Sequence, residues 1–127
     1  MITQTNLAPA VAVVREVDLT TFGRETGRPS RRTIWITTDA SGRIHIRSGQ
    51  GLAREWPRNL LANPRAVLHI NGMDIAVWAR RVTDRAELRA SLGALEQKYR
   101  WQLPASQPGE PLTPPEQATF ELMPAEH

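Results

Sequence analysis

Between Arg47 and Asn59 the chain reads Arg47-Ser48-Gly49-Gln50-Gly51-Leu52-Ala53-Arg54-Glu55-Trp56-Pro57-Arg58-Asn59. These residue types at this spacing suit the binding of a phosphate. Glycines let a backbone approach an anion, a hydroxyl can donate to it, and arginine adds charged, forked donors. If the segment after Gly51 is helical, its first amides have no partner within the helix and carry a partial positive charge toward the same point. The alternative is a solvated turn leading into an ordinary surface helix.

Other chemistry is excluded or weak. The 127 residues include no cysteine, so there is no disulfide, thiolate metal site, iron–sulfur ligation or cysteine nucleophile. The three histidines, His45, His69 and His127, form no close ligand pair. His45 and His69 on neighbouring strands would be able to meet, but a half-buried histidine bonded to a backbone group is the preferred reading. No nucleophile elbow, Walker loop or G-x-G-x-x-G is present. Tyr99 is a possible proton donor, yet it continues the helical series Leu88, Leu92, Leu95, which favours packing. Trp78 is read as a packing residue of a strand, and Arg80, Arg81, Arg85 and Arg89 as a solvated basic face.

The elements that must hold the turn can be read on both sides of it. Residues 12 to 21 favour a strand, and Gly23, Gly27 and Pro29 punctuate a loop. Residues 30 to 38 are β-rich, Asp39-Ala40-Ser41-Gly42 makes a turn, and Arg43-Ile44-His45-Ile46-Arg47 alternates, which together predict a hairpin. The alternation sends Ile44 and Ile46 to one face and His45 and Arg47 to the other. The helix after the turn starts near Glu55 or follows a distorted turn, because Pro57 is tolerated only in a first turn. Asn63-Pro64 ends it. Strands over 65–70 and 74–82 flank Asn71-Gly72, a strong hairpin signal. Asp84, with Glu87 three residues on, starts a helix over 84–100 that packs on the sheet.

Five prolines between Pro104 and Pro115 exclude regular structure there, and residues 118–123 are expected to form one edge strand. The expected organisation is a domain over residues 1–103 and a proline-rich acidic tail over 104–127. The fold class is mainly β, a barrel of about six mostly antiparallel strands with two helices. A chain of this length buries roughly two-thirds of the surface it exposes unfolded, enough for one domain.

Charge is unevenly spread. Residues 15–100 hold all 16 basic side chains against nine acids, a balance of +7, whereas residues 101–127 hold four acids and no base. Fifteen of the bases are arginine. The apolar run Leu7 to Val14 contains Pro9 and has no basic residue before it, so it is read as neither signal peptide nor membrane span. A cytoplasmic location is the default expectation, with no membrane partner.

Residues 42–48, Leu52-Ala53-Arg54 and the run from Leu60 through Asn63-Pro64 to Leu68 resemble the strand, phosphate turn, helix, "NP" and strand of the FMN-binding split β-barrels typified by pyridoxamine phosphate oxidase. Thr21-Phe22-Gly23-Arg24-Glu25-Thr26-Gly27-Arg28-Pro29 resembles the T-x-G-R-x-(T/S)-G-x-P opening of the deazaflavin-dependent nitroreductase and quinone reductase branch. The match spans residues 12–83 and extends more loosely to 100. It implies that Ser48, Gly49, Gly51 and Arg54 cradle the cofactor phosphate, that Arg31, Thr33 and Trp35 line the ring of a flavin or deazaflavin, and that Asn59 braces the turn. The relatives usually carry a lysine and a longer insertion in this turn, so FMN and a deazaflavin coenzyme of the F-420 type both stay open. The resemblance further implies a homodimer with apolar sheet at its seam.

The leading expectation is therefore an oxidoreductase moving hydride from a bound flavin or deazaflavin to a small organic acceptor. A non-catalytic flavin, deazaflavin or haem carrier or sensor of the same fold is the alternative. A nucleic-acid-binding small barrel, which the +7 body permits, ranks last because only 6% of residues are aromatic and the strands lack interleaved stacking residues.

Overall fold

The computed structural model of the protein describes residues 4–125, so His127 lies outside the described residues. Helix α1 (Gln4–Val13) leads into β1 (Val17–Phe22), β2 (Pro29–Ile34), β3 (Thr37–Thr38) and β4 (Ile44–Arg47). A 3-10 turn (Gly51–Ala53), α2 (Glu55–Ala62), β5 (Arg65–Ile70) and β6 (Met73–Arg81) follow. The chain then forms α3 (Arg85–Tyr99), the short α4 (Pro114–Gln117) and β7 (Thr119–Pro124).

All strand pairs are antiparallel and make one seven-stranded sheet in the order β2-β1-β5-β6-β7-β4-β3. The sheet curls into a split barrel because alternate residues bury one apolar face. Leu19, Ile44, Ile46, Leu68, Val77, Phe120 and Leu122 all point inward and are almost wholly buried. Leu7 and Val11, one helical turn apart on α1, pack into the same core together with Trp56 and Leu60 of α2. No helix among the described residues is long and apolar enough to cross a membrane.

Several elements form where the local chemistry directs. The β5–β6 hairpin turns at Asn71 and Gly72, whose φ values of 51° and 76° are those a two-residue primed turn requires. Helix α2 begins at Glu55 after a distorted 3-10 turn, which leaves Pro57 in the first turn. Helix α3 is capped by Asp84, whose side chain accepts from the Glu87 N–H at 2.9 Å. The same helix buries Leu88, Leu92, Leu95 and Tyr99 along one face.

Other expectations are corrected. Ala12 and Val13 end helix α1 rather than begin a strand, and β1 starts only at Val17. Tertiary burial of Leu7 and Val11 and the Lys98 ammonium donating to the Val11 carbonyl at 2.8 Å stabilise a helix that β-branched residues alone disfavour. The β-rich run over 30–38 is two strands. The first, β2, pairs with β1 from Val17↔Ile34 to Phe22↔Pro29, because the Gly23–Arg28 loop closes on itself as a hairpin turn. The second, β3, pairs with β4 for only two residues, so the predicted hairpin is short.

The strand expected at an edge, β7, lies between β6 and β4. Phe120 and Leu122 fill the inner face, and Glu121 is held on the other by Arg80 at 2.7 Å, so neither face resists an interior position. Arg80 is exposed, as expected, yet it is tied into an ion-pair network instead of standing free in solvent. It also bonds Glu87, whose Oε2 lies 2.8 Å from His45 Nε2. His45 and Arg47, on the outward face of β4, are thus covered by α3 and buried. His69 is remote from His45, sharing bonds with Thr20 and Asp74 instead.

Candidate functional site

Strand β4 ends at Arg47 and the chain reverses through Ser48 to Gly51 before the 3-10 turn. The reversal is braced internally and from below. The Ser48 hydroxyl donates to the Gly51 carbonyl at 2.8 Å, the Gly51 N–H donates to the Ser48 carbonyl and the Ser48 N–H to the Ala118 carbonyl, each at 3.0 Å. Gly51 has φ +63° and lies against Pro114 of α4. The C-terminal segment that composition reads as a tail therefore forms the floor of this turn. Among the described residues no carbonyl accepts from the amides of Gly49 or Gln50, and both residues are exposed.

Above the turn lies a cavity of about 590 Å³, within the range of small-molecule sites. Its walls include Arg47, Ser48, Gly49 and Gln50 from the turn, Arg54 and Trp56 around the start of α2, Thr33 near the end of β2 and Trp35 just beyond it. Donor groups of the turn and the Trp35 ring thus border the same space.

Arg47 is the distinctive group. Its side chain is only 9% exposed, and its Nη2 donates to the Leu88 carbonyl at 3.1 Å. Its Nε and Nη1 are buried without a partner. Burial pulls this guanidinium below its ordinary pKa, while the carboxylates of Glu116 and Glu96 oppose the shift. A buried cation with unused donors costs free energy that an anionic ligand in the cavity would offset.

Trp35 sits in the break between β2 and β3 and lines the cavity. Its ring stacks on Tyr99 with centroids 4.0 Å apart and planes 3° from parallel, and the exposed Trp101 meets it edge-on at 6.0 Å. The Tyr99 hydroxyl is engaged by backbone groups of Arg15 and Ile36, and burial raises its pKa. It is a packing residue in this arrangement, as the helical spacing predicts.

Of the nine residues singled out in the sequence, Thr33, Trp35, Arg47, Ser48, Gly49 and Arg54 line this one cavity. Three do not. Arg31 faces outward, its Nε donating to Asp18 at 2.8 Å, and the bonds from Thr33 and Arg31 hold the Asp18 carboxyl below its usual range. Gly51 is buried beneath the turn against Pro114. Asn59 is buried between β1 and the loop after it, donating to Thr21 Oγ1 and accepting from Arg24. It therefore braces Thr21 and Arg24 instead of the 48–51 turn.

The Ser48 hydroxyl, expected to donate to a ligand, donates to the chain. Asn59 lines a second, smaller cavity of about 250 Å³ with Arg24 and Arg28, and Glu55 borders both cavities. Sequence reasoning missed Arg32 and Gln50. Gln50 was detectable from its position between the two glycines, whereas Arg32 was not separable from Arg31 until the strand pairing was known. Among the described residues no cluster of histidine and carboxylate side chains suits a metal ion.

Residues 4–107 match the family model described as F420H(2)-dependent quinone reductase. No curated protein matches by sequence. Among solved structures, one described as an F420 reductase superposes with a TM-score of 0.55 at 15% identity, covering 91% of this chain and 90% of its own. HutZ, the haem storage protein from Vibrio cholerae, superposes at 0.65 with 14% identity over 100% of this chain and 93% of that one. A NimC/NimA family protein from Clostridium acetobutylicum gives 0.63 at 13% identity, covering 95% and 80%. At these identities the likeness to solved structures is one of fold.

Proposed function

Because the chain belongs to the F420H(2)-dependent quinone reductase family, we propose that it is an oxidoreductase that binds a deazaflavin coenzyme in the cavity between Trp35 and the 47–54 turn. The observation that carries this reading is Arg47, a buried guanidinium with two unpaired donor atoms on a cavity wall. An anionic ester in the cavity would offset the buried charge of Arg47, and Gly49, Gln50 and Arg54 line the same cavity. The residues present thus fit a phosphorylated, flat cofactor. The ring would lie along Trp35, since aromatic faces stack offset on other π-systems.

When bound in its reduced form, such a coenzyme supplies a hydride to a quinone or nitro compound, and the organic chemistry is the cofactor's own. The protein's part is positional and electrostatic. Arg47 and Arg54 anchor the anionic end, which fixes how far the ring reaches along Trp35. Trp35 and Trp56 exclude water from the wall they form. Among the described residues Glu55 is the carboxylate that borders the cavity, and Tyr99 is tied to the backbone. A proton needed by the reduced acceptor would come from solvent or from Glu55.

FMN also carries a phosphate ester and a similar ring, so the two cofactors would compete for the same groups. The carrier reading in its haem form is disfavoured because neither described histidine lines the cavity. We also propose a homodimer, with the exposed Trp78 on the outer surface of β6 as part of its apolar seam.

Side-by-side titration of the purified protein with the deazaflavin coenzyme and with FMN, read by fluorescence quenching, tests the binding. The expected result is saturable binding with preference for the deazaflavin, followed by turnover of a quinone or nitro compound by the reduced form. Absence of binding to both, with oligonucleotide binding that falls steeply with salt, would overturn it.

A further inference from the structure

Trp35 owes its place to no strand pairing, since β2 ends at Ile34 and β3 begins at Thr37. The side chain that holds it comes from the opposite end of the chain. Tyr99, in the last turn of α3, stacks on the Trp35 ring almost in parallel at 4.0 Å. Its hydroxyl accepts from the Ile36 N–H at 3.0 Å and donates to the Arg15 carbonyl at 2.7 Å, with the Ile36 carbonyl 3.0 Å away. The neighbouring Lys98 ammonium donates to that same Ile36 carbonyl at 2.7 Å. One residue thus grips both the indole and the peptide unit that follows it. Arg15 and Lys98 lie against the Tyr99 ring at 5.2 and 5.3 Å from its centroid, which fixes the phenol itself.

We propose that Tyr99 is a positioning residue. By stacking on Trp35 and pinning Ile36 it sets the plane against which a flat heteroaromatic ligand lies, and it does so without touching the ligand. The inference rests on the cavity reading above and deepens it. Selection for a flat ring would then reside in the Tyr99–Trp35 pair, and selection for an anion in Arg47 and the turn. The two should be separable, because Tyr99 holds the β2–β3 break from the last turn of α3, whereas Arg47 meets that helix near its start, at Leu88.

Three ligands and two variants test this. FMN and the deazaflavin coenzyme are titrated by fluorescence, and inorganic phosphate by the thermal shift it confers, on wild type, Tyr99→Phe and Tyr99→Leu. Tyr99→Phe keeps the stack but releases Ile36, and is expected to bind both ring compounds more weakly than wild type and more tightly than Tyr99→Leu. Tyr99→Leu is expected to weaken both by tenfold or more and to leave the phosphate shift unchanged. Should Tyr99→Leu not fold, Tyr99→Met, a longer flexible side chain, carries the same expectation. Ring binding within threefold of wild type in the leucine variant, or an equal loss toward phosphate, would overturn the proposal, the latter marking a purely structural role. If wild type binds neither ring compound, the cavity reading falls. A ligand-free crystal structure of Tyr99→Leu then decides the positioning claim alone: a displaced Trp35 supports it and an unmoved Trp35 refutes it.

Discussion

A Cβ placed on Gly51 would lie 2.7 Å from the carbonyl oxygen of Pro114. That contact ties the turn after β4 to the C-terminal α4, and it joins residues whose backbone also depends on a positive φ at Gly51.

Gly51→Ala therefore combines a left-handed backbone penalty with a collision against main chain, which cannot rotate aside. A stability loss of roughly 2–4 kcal/mol is expected, measured by urea denaturation. Anion binding should fall as well, because the turn must move away from Pro114. A variant as stable as wild type would show that the two segments separate freely.

Arg47→Met separates a ligand-binding role from a structural one. Removing a buried charge with unpaired donors relieves a desolvation cost while losing one hydrogen bond to Leu88, so stability should change by no more than about 1 kcal/mol. Cofactor affinity should fall at least tenfold. Equilibrium unfolding and fluorescence titration on the same preparation give both numbers. Large destabilisation with unchanged affinity would place Arg47 in the scaffold.

Arg54 is exposed and lines the same wall. Arg54→Ala is expected to weaken cofactor binding by roughly 1.5–3 kcal/mol, the scale of a lost charged hydrogen bond, with little effect on folding. Equal affinity for the variant and wild type would remove it from the site.

Glu87 governs acid stability. Burial by itself would raise its carboxyl, but hydrogen bonds from His45 and Arg80 and the charge of Arg80 outweigh burial and hold it below the usual 4.5. A carboxylate depressed in the folded state contributes fully above its unfolded pKa and loses that contribution as pH falls through the lower folded value. Stability should therefore drop below about pH 4.5 in wild type. Glu87→Gln should cost roughly 1–3 kcal/mol at neutral pH and flatten the acid limb, which urea midpoints from pH 3 to pH 7 would record. An equally steep limb in the variant would assign acid sensitivity to other groups, such as Glu116, which the Thr113 and Ser106 amides hold down in the same sense.

Much of this molecule was legible locally. Asn71-Gly72 makes its turn from its own backbone preferences, Asp84 caps α3 from its own side chain, and Pro57 sets the start of α2, because each depends on neighbours within four residues. The glycine and arginine content of 47–54 likewise singled out a turn that lines the cavity before any contact was known. Arg31 and Arg32 were not distinguishable, since which of two adjacent strand residues faces the cavity depends on pairing with β1. Asn59 carried a plausible role for the wrong neighbour, because its partners Thr21 and Arg24 are more than 30 residues away.

What residue order alone determined, then, was short-range: periodicities, caps, turns, and the charge and donor types gathered near one reversal of the chain. The tertiary structure decided everything that needs distant segments to meet. It placed β7 inside the sheet, because Arg80 neutralises Glu121 and Phe120 completes the core. It set Pro114 beneath Gly51, buried Arg47 under α3 with two donors unused, and laid Tyr99 flat on Trp35. These are contacts across tens of residues, where burial and steric fit override the local preferences that a sequence displays.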